Sequence, residues 1–189
     1  MISLSPYQST WPDEFQKFGI RLRHNLGTRA VRIDHIGSTS VPGLAAKDIL
    51  DVQVTVEALS PAVEQAIVAS GYRRVVHISC DHVPPACDPD PAQWEKWFFK
   101  GEGERPINLH VRIVGRANQR YALLFRDYLR NNTRASRAYE QVKSSIIRYH
   151  PEEKMDAYYD IKDPVCDIIM SGAETWAAAT AWCLGESDC

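Results

Sequence analysis

Residues 34–56 read DHIGSTSVPGLAAKDILDVQVTV, and the rest of the chain is organised around them. A β-branched run ends at Ile36, and small hydroxyl residues follow Gly37. A second run begins at Ile49, and apolar and polar residues alternate in it from Asp51. Alternation with a period of two indicates a strand, and a glycine followed by hydroxyl residues indicates a tight turn. This stretch therefore predicts a strand, a tight loop and a second strand.

The loop from Gly37 to Ser40 has the composition of an anion-binding turn. Gly37 permits close approach of the backbone to a ligand, while Ser38, Thr39 and Ser40 add hydroxyl groups beside the backbone N–H groups. Lys47 follows closely enough to offer a phosphate its positive charge. The alternative is a loop whose hydroxyls cap their own backbone, with a lysine that is simply solvated. The first interpretation predicts a phosphate site.

The predicted strand over residues 49–56 has a polar face. Side chains two residues apart project to the same side, so Asp51, Gln53 and Thr55 share one face while the valines between them share the other. We expect Asp51 to lie beside the loop, where it would serve as a metal ligand or a general base.

A later stretch, residues 107–114, alternates in the same way. Asn108, His110 and Arg112 share one face of this predicted strand. If it neighbours the strand over residues 49–56, Asn108 and His110 come near Asp51 and Gln53. The two strands would then join their polar faces.

The remaining pattern predicts an α/β (α+β) fold, with a mixed β-sheet flanked by helices and a helical C-terminal portion. The sequence predicts a helix over residues 11–27 and strands over 31–36 and 72–78. Between these strands it predicts a helix that Ser60 caps and whose Val63, Ile67 and Val68 face inward. Two amphipathic helices are predicted between Tyr121 and Tyr149, with Asn132 or Thr133 as the cap between them. Residues 151–189 are acidic and then helical, and we expect them to cover the sheet or a partner subunit. We expect residues 1–189 to form one domain.

Residues 79–106 hold five of the eleven prolines and are predicted to form a long irregular loop. Its middle is crowded with aromatic side chains, namely Trp94, Trp97, Phe98 and Phe99. Such rings either stack on a planar ligand such as a nucleobase or anchor the loop to the core.

Composition places the chain among globular proteins, with 44% hydrophobic and 24% charged residues. The net charge of −2 lacks the basic excess of a dedicated nucleic-acid binder. Residues 112–150 hold nine bases and two acids, and residues 151–189 hold two bases and nine acids. The contrast indicates either an anion-binding face with a complementary acidic segment or two solvated helix faces. Neither a membrane-length apolar stretch nor a leader pattern is visible, so we expect a cytoplasmic protein.

The five cysteines are odd in number and form no Cys-x-x-Cys pair, so a disulfide framework is not expected. His77, Cys80, His82 and Cys87 lie within eleven residues. They form either a zinc site or a set of unrelated polar residues on a strand end and loop.

Several segments together resemble the GrpB-like family. The segments that carry the resemblance are His35 to Leu44, Lys47, Asp51 to Val54, Pro84 to Pro89, Trp94 to Lys96, Asn108 to Arg112 and Phe125 to Arg130. They are similar in order and spacing, and they cover most of the chain. The likeness extends to the GrpB-like domain that is fused to dephospho-CoA kinase in some actinobacteria.

The resemblance implies the nucleotidyltransferase fold of the polymerase β superfamily. In that superfamily two carboxylates on the second strand and a third on a later strand bind two Mg²⁺ ions. Here Asp51 is retained, Gln53 takes the second place, and Asn108 or His110 takes the third. That set would suit a weaker Mg²⁺ site, an ion such as Mn²⁺ or Zn²⁺, or no ion, with Asp51 orienting His110 as a general base.

Two functions follow as expectations. The first is an enzyme that transfers a nucleotidyl group from ATP or another nucleoside triphosphate to a small-molecule acceptor, or uses the nucleotide for a ligation. The second is a non-catalytic domain that binds a nucleotide or a protein partner. An RNA-modifying enzyme is disfavoured by the mild net charge.

In the enzyme, Asp51 and His110 are the predicted catalytic and metal-binding residues. The predicted nucleotide-binding residues are Gly37, Ser38, Thr39, Ser40, Lys47, Gln53, Asn108, Arg112 and Lys143. Lys143 and Lys162 are anion-site candidates by the resemblance. Arg126, Arg130, Arg134 and Arg137 either face a phosphate tail or are solvated.

Overall fold

The computed structural model describes residues 3–85, 87–101, 103, 105–149 and 155–189, apart from the side chains of residues 155–157. The α-helices are α1 (Trp11–Leu26), α2 (Pro61–Ala69), α3 (Pro91–Trp94), α4 (Ala117–Asn131), α5 (Thr133–Tyr149) and α6 (Met155–Thr180). The strands are β1 (Ala30–Ile36), β2 (Leu50–Val56), β3 (Tyr72–Arg74), β4 (Trp97–Gly101) and β5 (Ile107–Ile113).

The strands form one mixed sheet in the order β1-β2-β5-β4-β3. β2 and β5 run parallel, while the other neighbouring pairs are antiparallel. In the β2–β5 register, Asp51 pairs with Asn108 and Gln53 with His110. The predicted mixed α/β class is therefore confirmed, and the two strands are adjacent, which is the condition under which Asn108 and His110 come near Asp51 and Gln53.

The two faces of the sheet differ in chemistry because β2 and β5 alternate apolar and polar residues. The valines of β2 and the apolar residues of β5 join the main core together with α1 and α2, where Phe15, Leu22 and Val63 are buried. The opposite face has polar side chains and contacts α4, which in turn packs on α5 and α6. The sheet thus separates an apolar core from a polar interior.

The helix caps follow from local sequence. The Ser60 hydroxyl accepts a hydrogen bond from the Val63 N–H at the start of α2, as predicted. Asn132 Oδ1 accepts one from the Ala135 N–H, 3.0 Å away, so Asn132 is the residue that caps α5.

Three expectations about elements are wrong, and a fourth is not tested over its first residues. Residues 79–106 are not wholly irregular, because α3 and β4 lie within them, and cross-strand pairing with β5 forms β4 despite the surrounding prolines. β3 ends at Arg74 instead of residue 78. Val68 faces outward instead of inward, with 52% of its surface exposed. Residues 151–154, which belong to the acidic segment, lie outside the described part of the chain.

Among the described residues, no helix has both the length and the apolar character needed to cross a membrane.

Candidate functional site

The turn after β1 is built against Asp51. Gly37 has φ 69° and ψ −172°, a conformation that is almost restricted to glycine. A Cβ at this position would lie 2.9 Å from the Cβ of Asp51. Residues Ser38–Ser40 then form a single 3-10 turn. Glycine is therefore required both by the backbone conformation and by the close approach to Asp51.

The three hydroxyl groups of the turn have different hydrogen-bond partners. Ser40 Oγ donates to the Gly37 carbonyl at 2.6 Å, and Thr39 Oγ1 lies 3.0 Å from His35 Nε2. Ser38 Oγ instead accepts a hydrogen bond from Lys143 Nζ at 3.0 Å. Thr39 and Ser40 therefore stabilise the turn, whereas Ser38 meets a cation.

Two arginines of α4 hold the turn from behind. Arg126 NH1 donates to the His35 carbonyl at 3.1 Å, and Arg130 Nε donates to the Ser40 carbonyl at 2.9 Å. The sequence predicts that these arginines either face a phosphate tail or are solvated, and neither prediction describes their contacts with backbone carbonyls. Arg134, further along the chain, is exposed.

Asp51 lies at the start of β2 with 29% of its side chain exposed. Its Oδ1 accepts a hydrogen bond from Asn108 Nδ2 at 3.0 Å, and His110 Nε2 lies 3.8 Å from the same oxygen. Burial raises the pKa of Asp51, but the donors on His110 and Asn108 lower it more, so the pKa is below its usual value. Asp51 is therefore a carboxylate at neutral pH.

His110 is surrounded by cations on its other side. Its Nδ1 lies 3.5 Å from Lys96 Nζ and 3.4 Å from Arg112 NH2. Burial, followed by the charge of Lys96, lowers the pKa of His110 to about 4. The ring is neutral at pH 7, with Nδ1 placed to accept hydrogen bonds and Nε2 facing Asp51.

Arg112 does not point freely at a ligand. It forms two hydrogen bonds with Asp81, Nε to Oδ2 at 2.8 Å and NH2 to Oδ1 at 2.9 Å, and it also donates to Gln53 Oε1. Lys96 Nζ lies 2.6 Å from Asp81 Oδ1. Although burial opposes ionisation, Arg112 and Lys96 hold the pKa of Asp81 well below its usual range. Sequence reasoning missed Asp81, because it follows no strand or helix pattern.

The donor atoms around Asp51 do not form the set of carboxylates that would hold a resident Mg²⁺ ion. Mg²⁺ prefers several hard, anionic oxygens, but the Gln53 oxygen already accepts from Arg112, and Lys96 lies beside His110. Across the described ranges, no group of three or more His, Cys, Asp or Glu residues is arranged to hold a metal ion. In the segment considered for zinc, His82 Nε2 instead pairs with Asp167 at 2.9 Å.

A cavity of about 690 Å³ lies between the polar face of the sheet and the helices. Gly37, Ser38, Thr39, Asp51, Asn108 and His110 line it, and Ser40 and Gln53 are absent from its lining. Among the described residues, the charged side chains that line it are Lys47, Lys96, Lys100, Arg112, Lys143 and Lys162 against Asp51, Asp81 and Asp163. Six positive charges of lysine and arginine minus three negative charges of aspartate leave an excess of three. The cavity is therefore suited to an anion.

Lys143 and Lys47 face the same part of the cavity. Lys143 is only 2% exposed, and its Nζ also donates to the Ala45 carbonyl at 2.7 Å. Lys47 Nζ lies 3.8 Å from the centre of the Tyr158 ring. Burial, together with the charge of Lys162, lowers the pKa of each lysine to about 8. An anion beside them would favour the charged form again.

Aromatic side chains form a further part of the cavity lining. Trp94 and Phe98 line the cavity, but Phe99 lies in the main core and Trp97 packs under Arg74, 4.1 Å from its guanidinium carbon. Phe99 therefore anchors this segment to the core, whereas stacking of Trp94 or Phe98 on a planar ligand stays a prediction. The tyrosines that line the cavity are Tyr121, Tyr139, Tyr158 and Tyr159. Sequence reasoning missed Tyr158 and Tyr159 as cavity residues.

A protein-family model and two relatives of known sequence match most of this chain. The family model described as GrpB protein matches residues 1–171. A dephospho-CoA kinase from Mycolicibacterium paratuberculosis is 36% identical over 196 residues, which cover 96% of this chain and 48% of that protein. A UPF0157 protein from Halalkalibacterium halodurans is 33% identical over 172 residues, 91% of this chain and 82% of that protein.

Among solved structures, the conserved protein GrpB from Enterococcus faecalis is similar to this chain with a TM-score of 0.73 and 26% sequence identity. The similarity covers 92% of this chain and 99% of that one. The chain spans about half the length of the dephospho-CoA kinases it matches, 48% in the case from Mycolicibacterium paratuberculosis.

Proposed function

This chain belongs to the GrpB family, and we propose that its cavity binds a nucleoside triphosphate and transfers the nucleotidyl group to a small-molecule acceptor. The observation that carries the proposal is the buried ammonium of Lys143, 3.0 Å from the Ser38 hydroxyl, in a cavity with an excess of three positive charges. The nucleotidyltransferase-like fold that the family resemblance implies supports the same chemistry.

The phosphate groups would be held at the Gly37 turn. Ser38 and Lys143 already form a hydrogen-bonded pair there, and Lys47 and Lys162 add charge from neighbouring elements. Charge-assisted hydrogen bonds to phosphate oxygens are about twice as strong as neutral ones. The aromatic walls give the remainder of a nucleotide an apolar surface.

Asp51 would accept the proton of the acceptor. The acceptor hydroxyl or amine attacks the α-phosphorus, its proton passes to an Asp51 carboxylate oxygen, and the bond from phosphorus to pyrophosphate breaks. Asn108, which donates to Asp51, and His110, whose ring faces it, keep the pKa of Asp51 low, so they are positioning residues in this scheme. A divalent cation would enter with the triphosphate, as part of the substrate.

A second function, ligand binding without turnover, is favoured by the contact between Gln53 and Arg112. The position of the second carboxylate holds a neutral amide whose oxygen already accepts a hydrogen bond. The relatives named dephospho-CoA kinase are about twice the length of this chain. A binding domain of this family could serve such a neighbour by capturing a nucleotide.

Calorimetric titration with Mg·ATP and with the other nucleoside triphosphates tests both functions. We expect Lys143→Met to weaken binding by about 10- to 100-fold, because it removes a buried charged donor. Lys100→Met is the matched control, since Lys100 lines the same cavity with an exposed side chain. Its substitution should change affinity much less.

Asp51→Asn separates transfer from binding. The amide keeps the shape of the side chain but accepts a proton poorly, so nucleotide affinity should persist while pyrophosphate release in the presence of candidate acceptors is lost. Binding without any release that depends on Asp51 would select the second function. Absence of triphosphate binding to the wild-type protein would exclude both.

A further inference from the structure

The segment Gly185-Glu186-Ser187-Asp188-Cys189, called the strap here, lies along the outer edge of β1. β1 is an edge strand of the sheet. The Ile33 N–H donates to Ser187 Oγ at 2.9 Å, and the Ile33 carbonyl accepts from the Cys189 N–H at 3.1 Å. The strap therefore satisfies backbone groups that an edge strand would otherwise expose.

Asp188 extends this contact to the base of the Gly37 turn. Its Oδ2 accepts from the His35 N–H at 2.9 Å and from Arg126 NH1 at 2.7 Å. The same Arg126 nitrogen donates to the His35 carbonyl at 3.1 Å. One strap carboxylate and one arginine thus fix both backbone groups of a residue that stands two positions before Gly37.

Cys189 fits a notch in α1. The Cβ and Sγ of Cys189 each lie 3.0 Å from the point where a Cβ on Gly19 would be, and Cys189 packs against the main core. Glycine in a helix interior costs about 1 kcal/mol relative to alanine. Room for Cys189 gives a physical reason for this otherwise unfavourable glycine.

The charges of groove and strap are complementary. Arg32 NH2 donates to the Glu186 carbonyl at 3.0 Å, and Arg23 NH2 donates to the Cys189 carbonyl at 2.8 Å. The strap itself carries two carboxylates, those of Glu186 and Asp188. The groove therefore favours a peptide with a carboxylate directly after the hydroxyl residue and a small side chain two positions after it.

We propose that the groove between β1, α1 and α4 is a peptide-docking surface whose occupant is the strap of this chain. Docking of the strap is linked to anion binding through His35 and the Gly37 turn. The strap can adopt two states, docked and released. A ligand that binds more tightly to the ordered turn also favours the docked state of the strap. Docking of the strap in turn raises the affinity for that ligand by the same factor. The second half of the proposal rests on the proposed function.

Alkylation of Cys189 by iodoacetamide, followed by peptide mass spectrometry, tests docking without any ligand. Gly19→Ala fills the notch, so we expect the alkylation rate of Cys189 to rise about tenfold, the ratio that corresponds to about 1.4 kcal/mol of lost docking free energy. Exposed Cys183 in the same protein is the internal reference and should react at an unchanged rate.

An unchanged Cys189 rate in Gly19→Ala would overturn docking. The variant should remain folded, because alanine is the better helix former. Asp188→Asn, which weakens the Arg126 contact and leaves α1 intact, should also accelerate alkylation. Protection of Cys189 that falls on dilution would assign the occupant to a second copy of the chain, against the proposal.

The linkage is tested with inorganic pyrophosphate as the probe. If calorimetry shows binding, saturating pyrophosphate should slow alkylation of Cys189 in the wild type, and Gly19→Ala should weaken pyrophosphate binding by at most the same factor. Binding with an unchanged alkylation rate would refute the linkage and leave the proposed function standing. Absence of binding would refute the proposed function and the linkage together, while docking is decided by alkylation alone.

Discussion

Gly37 and Asp51 show how one residue without a side chain can define a site. Gly37 adopts a conformation that other residues avoid, and its backbone lies against Asp51. This contact brings the hydroxyl turn at the end of β1 next to the carboxylate at the start of β2. Within this small region, Ser38 meets Lys143 and Asp51 meets Asn108 and His110.

Gly37→Ala should destabilise the fold and reduce anion binding. Backbone strain of this kind costs about 1–3 kcal/mol, and the new methyl group would also press on Asp51. Gly43→Ala is the matched control, because Gly43 has φ +77° and a Cβ there would meet no atom within 4 Å. Urea denaturation and calorimetry with ATP measure the two effects. Equal affinity losses in both variants would contradict the contact with Asp51.

At the scale of elements, α4 joins the sheet to the other helices. Its apolar residues pack against α6, where Leu124 and Met170 belong to one buried cluster. Its polar side holds the turn through Arg126 and Arg130. Arg126 and Arg130 therefore order the anion site without lining its cavity.

Arg126→Met should lower the free energy of unfolding by about 1–3 kcal/mol, because it removes a charged donor to Asp188 and to the buried His35 carbonyl. Arg126 is 6% exposed, and it pairs with Asp188 at 2.7 Å and lies 4.0 Å from fully buried Asp34. Urea denaturation measures the change.

Arg137→Met is the control for this prediction. Arg137 is 70% exposed and lies 3.8 Å from Glu140, so its loss should change stability by about 0.5 kcal/mol or less. Similar effects of the two substitutions would mean that Arg126 is not the buried anchor of the turn.

On the scale of the whole molecule, the cavity belongs to no single element. The sheet supplies Asp51 and His110, the segment before β2 supplies Lys47, and α5 supplies Lys143. The helices cover the polar face of the sheet and bury these groups. Burial is also what lowers the pKa values of the two lysines.

The affinity for ATP should therefore fall as pH rises through 8. Lys47 and Lys143 each have a pKa of about 8, so raising the pH from 7 to 9 removes about nine-tenths of each positive charge and weakens binding by about tenfold for each lysine that contacts phosphate. A bound anion raises the lysine pKa, so binding near pH 8 should take up protons.

Calorimetry in two buffers with different ionisation enthalpies measures that proton uptake. Lys143→Met should reduce it, and Lys100→Met should leave it nearly unchanged. Proton release on binding, or an uptake that Lys143→Met does not alter, would contradict the assignment of Lys143 to the phosphate groups.

Much of this architecture can be predicted from interactions between residues that are close together in the sequence. The alternation in β2 and β5 predicts which residues share a face, and the hydroxyl cap predicts the start of α2. Gly37 and Asp51 were selected from one continuous stretch. These features depend on neighbours along the chain, so residue type and spacing are enough to predict them.

Other features depend on contacts between residues far apart along the chain. Asp81 meets Arg112, Arg126 meets Asp188, and Lys143 meets Ser38 across separations of 31, 62 and 105 residues. β4 exists because it pairs with β5, although the prolines around it indicate a loop. Periodicity contains no information about such pairings. Folding brings these charges together and buries them, and that burial creates a cationic cavity in a chain whose net charge is −2.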